Sequence, residues 1–573
     1  MSGFIGVVQE GILEKNISLN IRTNNERSIK RVANYSDAIF LCQKHLYFDN
    51  DYIFCESDDY IVCFWGILIN SRELLSAYKV SCIQELVTKV LVADDFINLN
   101  KFCGNYAGFC YWKKIKKIKI FSNHFSQRPV YYYLNKNKDI FIFSSHIESI
   151  VDVLKQSNLK VNYSELGVYY MLTFGYMLRE QTIVEGIYKV LPATVITVDA
   201  EMKMTANEYY QYNNVNIHSL SEGELMENFF QKLEHACQLG FDKDVEYGRD
   251  TLITLSGGLD SRLIAFAAKN NGKDNVSVFT FGQTGCDDVC IAGKIANFLK
   301  DKLIFVSLDG GKFIRDIDAV LNRNFGGVQY ISSIHSLYAA KELNYDKYGL
   351  MHNGNVADIS HGDYLSLPYH TSPSPRNWAN SSRLFFRIDK EIEDVASYYA
   401  NDEHFSIYNR GINGILNGGG INLDFIDSYE PYMYPELVDF ASKISPQYKF
   451  NERLFLLLIE KYYSEAAAFK WQRWDMRPTV KNLTARMQFF IKAKRKIRKI
   501  VGNYRSNMNP FQKWMMEDDG LRQYWDNIFK ENIVLFQNNT TLLQDMKQLY
   551  INGNISEKSQ VITVLKIQER LLK

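Results

Sequence analysis

Short strand-like runs fill the first 205 residues. Apolar stretches at 4–8, 52–55, 60–69, 106–112, 118–122, 130–133, 139–144 and 193–199 are punctuated by turn residues, with helix-like spacing near 72–92 and 164–174. That pattern predicts an α+β sandwich. A polar connection follows over 206–230, leading into a helix that carries His235 and Cys237, both expected in the core. From about 225 to 480 strand-like and helix-like segments alternate, as in an α/β doubly wound parallel sheet. Within it, residues 451–463 place Leu454, Leu457, Leu458 and Lys461 at helical spacing. The chain closes on a basic, helix-rich tail.

Composition narrows the function classes. The 66 Lys and Arg nearly cancel the 65 Asp and Glu, which excludes a global field for nucleic acid or membrane. Aromatic content of 14% and only 10 Pro indicate folded domains. The nine cysteines lack CxxC pairs and point to neither a zinc site nor a disulfide framework; Cys286 and Cys290 are expected in the core. No apolar run reaches the ~18 residues of a membrane span, and the start lacks a basic leader. A soluble, cytoplasmic protein is expected.

The candidate chemistry sits at 251–272. An apolar strand at 251–255 meets a helix starting near Arg262, and between them lies Ser256-Gly257-Gly258-Leu259-Asp260-Ser261. Such a turn gathers backbone N–H groups and a helix N-terminus around one point, which suits phosphate. The glycines allow close approach, Ser256 and Ser261 add hydroxyls, and the Asp260 carboxylate implies a bridging divalent cation. The plainer alternative is a βα turn with a capping Asp or Ser. The string resembles the pyrophosphate loop of the ATP pyrophosphatases, which split ATP into AMP and pyrophosphate, and departs from GxxxxGK[ST].

Further strings resemble asparagine synthetase B. Met1 to Val7 falls on MCGIFGV, Gly66 to Asn70 on GEIYN, Gly104 to Ala107 on G-x-F-A, Ser122 to Tyr132 on RDHLGIIPLYY, and Tyr176 to Pro192 on the stretch leaving the glutaminase domain. The resemblance implies an N-terminal-nucleophile-type sandwich. It also implies that its glutaminase site is degenerate. The nucleophilic cysteine is replaced by Ser2, the oxyanion-hole asparagine by Trp65, and the S-D-T-E acid has no counterpart in Ser81-Cys82-Ile83-Gln84-Glu85.

In the second half the resemblance implies an adenine nucleotide alpha hydrolase-like sheet. Phe281 and Gly282 become candidate contacts for AMP, and Asp288 either a helix cap or a direct participant. Asn353 to Tyr364 falls on SGEGSDELFGGY, making Asn353 and Gly354 a second wall of the pyrophosphate site and pairing Asp358 with Asp260 as ligands of Mg²⁺. Two departures stand there, Asn355 for a glutamate and Val356 for a glycine. Arg410 and the segment 430–436 resemble the acceptor side, and Lys470 or Arg473 falls near the family's catalytic lysine, either being alternatively an exposed basic residue. Six of the eight residues 492–499 are Lys or Arg, read as a solvated face or as an attraction to an acidic membrane surface, glycan or peptide.

The expected organisation is a glutaminase-like domain at 1–205, an ATP-pyrophosphatase domain at 206–480 and a basic extension at 481–573. The implied activity is an ATP- and Mg²⁺-dependent ligase that adenylates a carboxylate and passes it to ammonia or an amine, without glutaminase activity. Alternatives within the resemblance are a lasso-peptide or macrolactam cyclase, a β-lactam synthetase, or amidation of a sugar acid in polysaccharide synthesis. A non-catalytic nucleotide-binding scaffold is the alternative of another class. Expected partners are a small-molecule, glycan or peptide carboxylate, an acidic surface, and a second copy or a biosynthetic partner protein, with no nucleic acid.

Overall fold

The computed structural model describes residues 2–15, 17–21, 28–45, 47–215, 217–362, 364–365, 369, 372–500 and 507–573. Twelve strands form the first part: Gly3–Gln9 (β1), Ser28–Tyr35 (β2), Ala38–His45 (β3), Ile53–Glu56 (β4), Tyr60–Leu68 (β5), Gly104–Trp112 (β6), Lys117–Ser122 (β7), Tyr131–Asn135 (β8), Ile140–Ser144 (β9), Ile187–Lys189 (β10), Thr194–Val198 (β11) and Met204–Glu208 (β12). They make two six-stranded sheets, ordered β10-β8-β9-β1-β3-β2 and β12-β11-β7-β6-β5-β4.

Between the sheets lies an aromatic core of Phe4, Phe40, Trp65, Phe109 and Phe143, with Phe40 stacked on Phe109 at 5.1 Å. Each such side chain contributes ~1.5–3 kcal/mol by leaving water. The outer face of one sheet packs on helices Ile147–Gln156 and Glu165–Phe174, and that of the other on Ser71–Tyr78 and Ile83–Val92. The result is the expected α+β sandwich, layered helix, sheet, sheet, helix.

Helical spacing over 72–92 resolves into two helices. Lys79 adopts a left-handed conformation at φ 53°, and the Glu85 carboxylate accepts from the Ser81 N–H at 2.9 Å at the restart. The β2–β3 hairpin had no counterpart among the expected strands; β2 (SIKRVANY) is a sheet edge in which polar and apolar residues are mixed.

The second part is built on a five-stranded parallel sheet: Asp250–Thr254 (β13), Val276–Gly282 (β14), Lys302–Ser307 (β15), Tyr348–His352 (β16) and Ser428–Tyr429 (β17). The order is β15-β14-β13-β16-β17, so the direction of winding reverses between β13 and β16. In such sheets the ligand crevice opens at the carboxyl ends of the strands flanking that reversal. The helix Glu222–Glu246 leads into the sheet, started by a capping box between Ser221 and Glu224. Cys237 is buried on it, whereas His235 leaves the core and comes within 3.8 Å of Glu73, its side chain 44% exposed. Likewise Cys286 is buried, but Cys290 is exposed, one helical turn on and facing out.

The last helices, Asp519–Asn532, Thr540–Asn552 and Ile555–Leu572, do not stand apart. Trp525, Leu549 and Leu565 share one core with Tyr170 and Leu172 of the sandwich and with Leu321 and Tyr330 of the second part. Tyr169 donates to Asp545 at 3.0 Å, and Ser381 to Glu557 at 2.7 Å.

Candidate active site

The carboxyl ends of β13 and β16 open on a cavity of about 470 Å³. Seven of the residues expected at an ATP site line it: Ser256, Gly258, Asp260, Ser261, Phe281, Asn353 and Gly354. Asn355, Arg410 and Met508 line it too. Thr254, His335, Ser336 and Asn422 complete the walls, with no motif to announce them.

The Ser256 loop is held in shape by its own side chains. Ser256 Oγ accepts from the Gly258 N–H at 3.1 Å, Ser261 Oγ from the Ser256 N–H at 3.2 Å, and Asp288 Oδ1 from the Gly257 N–H at 3.0 Å. Asp288 therefore anchors the loop from the first turn of the helix Asp287–Leu299, and burial pushes its carboxyl above the usual range. Gly257 lies behind the cavity wall, where a Cβ would come within 2.6 Å of Gln472 Cβ. Gly282 ends β14 beside Cys286 and Met508.

Behind the loop, the buried Arg262 guanidinium donates to the carbonyls of Gly257, Ala466, Phe469 and Lys470, the last at 2.7 Å. That ties the 466–470 segment to the loop. Lys470 and Arg473 do not line the cavity: Lys470 pairs with Asp475 at 3.3 Å and Arg473 with Glu452. Among the described residues, Arg410 is a cation that does line it, on a π-helical turn over Ile407–Leu416. Such turns widen a helix and recur at functional sites. The opposite side of this turn holds the sandwich, Asn413 donating to the carbonyls of Met177 and Arg179 and accepting from Lys189 at 2.9 Å. Burial lowers the Lys189 ammonium to about 7.

Asp260 Oδ1 is 3.1 Å from His361 Nε2. Burial opposes charge on His361, but Asp260, together with Glu452 and Asp358, lifts the imidazole to about 10. Asp358 opens the short helix Asp358–His361 and does not line the cavity. Among the described residues no group of three or more His, Cys, Asp or Glu is arranged to hold a metal. The Asp260 carboxylate, 33% exposed on the cavity wall, fits a hard cation that takes most of its ligands from phosphate oxygens and water. Val356, which falls on a glycine of the string it resembles, adopts φ 59°, a strained conformation for a β-branched residue.

In the sandwich, Ser2 and Trp65 are fully buried. The Arg128 guanidinium lies over the Trp65 ring at 4.4 Å, donates to Tyr52 Oη at 2.8 Å and to the Asn105 carbonyl at 2.9 Å, and pairs with Asp427 of the second part. From there a buried polar chain runs to the cavity at the ends of β13 and β16. Asn105 and Gln127 donate to Glu430 at 3.0 and 3.2 Å, Asn353 donates to Glu430 at 3.4 Å, and Thr254 donates to Asn353 at 3.0 Å.

Comparison with known proteins agrees with this arrangement. Residues 55–210 match the glutamine amidotransferase domain family, and residues 229–402 match the asparagine synthase family. No curated protein matches. Among solved structures, the chain is similar to glutamine phosphoribosylpyrophosphate amidotransferase from B. subtilis, at 10% identity, covering 57% of this chain and 93% of that one with a TM-score of 0.28. It is also similar to an allosteric regulatory enzyme of purine biosynthesis, at 9% identity, 53% and 80% coverage and a TM-score of 0.27. A third is NMN synthetase from Francisella tularensis, at 14% identity, 41% and 97% coverage and a TM-score of 0.17. With its amidotransferase domain ahead of an asparagine synthase domain, the chain belongs to the asparagine synthetase-like proteins.

Proposed function

We propose that the protein is a carbon–nitrogen ligase that adenylates a substrate carboxylate with ATP and transfers the acyl group to ammonia or an amine, without hydrolysing glutamine itself. The observation that carries this reading is the cavity at the β13–β16 reversal, which the Ser256 loop, Asp260, Phe281 and Asn353 line together with Arg410. The carboxylate oxygen attacks the α-phosphorus, the bond to the β-phosphate oxygen breaks, and pyrophosphate leaves. The amine nitrogen then bonds to the acyl carbon, AMP departs and the nitrogen loses a proton.

Phosphate oxygens would replace the hydroxyls of Ser256 and Ser261 as acceptors for the loop N–H groups, and Arg410 would bind an anionic oxygen of ATP or of the carboxylate. Mg²⁺ bound at Asp260 would neutralise charge on the leaving pyrophosphate. Such catalysis depends mainly on positioning and charge, which a rigid loop supplies.

The loss of glutaminase chemistry is supported by Ser2, a hydroxyl with little thiolate-like reactivity, and by Trp65 at the position the resemblance gives to the oxyanion-hole asparagine, its ring covered by the Arg128 guanidinium. The test is incubation with ATP, Mg²⁺, ammonium and a panel of amino-acid, sugar-acid and peptide carboxylates. Pyrophosphate release that depends on one carboxylate supports the proposal. If ATP–Mg²⁺ does not bind and no pyrophosphate appears with any acceptor, the chain is a scaffold.

A further inference from the structure

The helix Ala485–Ile500 is held to the body by the buried Ile491 and by the ion pair of Lys494 with Asp475. Three of its apolar residues face outward: Phe489 is 72% exposed, Phe490 59% and Ile497 61%. Phe490 and Ile497 are seven residues apart, two turns and ~10 Å along one face. Lys492 and Lys496, both exposed, border them, in the stretch 492–499 where six of eight residues are cationic. A helix that served only as a solvated face would carry polar residues there. Two adjacent exposed phenylalanines combined with a dense positive charge, in a chain whose formal net charge is only +1, make one apolar and cationic face.

We propose that this helix docks the protein on an anionic phospholipid surface, lying in the plane of the bilayer with Phe489, Phe490 and Ile497 inserted among the acyl chains and the lysines against the headgroups. The bilayer is the partner that offers both complements at once, a continuous sheet of negative charge and an apolar layer a few ångström beneath it. A soluble acidic polymer matches the lysines but leaves the phenylalanines in water. No helix among the described residues is long and apolar enough to span a membrane, so the contact would be peripheral. Seven residues separate the end of the helix from Met508 at the cavity, a reach of at most ~30 Å. The docked face would therefore hold the cavity close to the lipid surface.

The test is flotation of the full-length protein with vesicles of phosphatidylcholine alone and of phosphatidylcholine mixed with phosphatidylglycerol. Binding is expected to the anionic vesicles only, and to fall at least ~tenfold at high salt, where charges are screened within ~3 Å. F489S/F490S and K492E/K496E should each reduce binding to the phosphatidylcholine background while keeping the wild-type melting temperature. Failure to bind anionic vesicles overturns the proposal. So does undiminished vesicle binding by F489S/F490S, and so does binding of soluble polyglutamate with equal affinity by wild type and F489S/F490S, which would identify an acidic polymer as the partner. Self-association lost in F489S/F490S without vesicle binding would identify a second copy, and equally overturns it.

Discussion

Arg128 of the sandwich pairs with Asp427 of the second part, and both side chains are almost fully buried. One of the two charges thereby lies over the Trp65 ring, the other two residues before Tyr429 at the edge of the parallel sheet. Removing one partner of such a pair leaves an uncompensated buried charge. Arg128→Met or Asp427→Leu alone should each cost ~3–5 kcal/mol in denaturant unfolding, and the double variant should recover most of that loss. Equal losses in the single and double variants would show that the pair is not coupled.

The same guanidinium covers Trp65, the residue at the position the resemblance gives to the oxyanion-hole asparagine. Introducing a thiol with Ser2→Cys should release no glutamate from glutamine, because Trp65 stands where the resemblance places the oxyanion-hole asparagine and no acid in Ser81-Cys82-Ile83-Gln84-Glu85 takes the place of the aspartate that would hold the α-amino group of glutamine. Glutamate release by this single variant would contradict the proposed loss.

Asp260 is the carboxylate on which both the loop and the proposed cation converge. Asp260→Asn should lower pyrophosphate formation by ~10²–10³ while leaving the far-UV spectrum intact. Full activity would remove Asp260 from the chemistry.

The His361–Asp260 contact carries a pH signature. The folded imidazole lies near 10 against an ordinary 6.5, so the pair's contribution to stability is complete below about pH 6.5 and is lost as pH rises through about 10. The stability difference between wild type and His361→Gln should therefore shrink across that window, as followed by melting temperature. A constant difference from pH 6 to 10 would contradict the charge assignment.

How much of this was legible from the residues depends on sequence distance. The Ser256 loop, its strand and its helix are local, so six consecutive residues announced them. The sandwich core was legible because Phe4, Phe109 and Phe143 lie on runs that are apolar throughout. The Arg128–Asp427 pair was not, since Arg128 meets a partner 299 residues away that no local pattern identifies. Met508 reaches the cavity from the tail, and Arg410 does so on a π-helical turn whose register periodicity does not predict. Lys470 and Arg473 lie in the expected segment, but Arg262 binds that segment's carbonyls and the two side chains pair elsewhere.

The most direct measurement is the identity of the products formed from ATP and from the nitrogen donor in one reaction, resolved by ion-exchange chromatography. With an accepted carboxylate and ammonium or an amine, the account predicts AMP and pyrophosphate in equal amounts, and no glutamate when glutamine is the sole nitrogen source. ADP and phosphate as products, or glutamate released from glutamine, would contradict it.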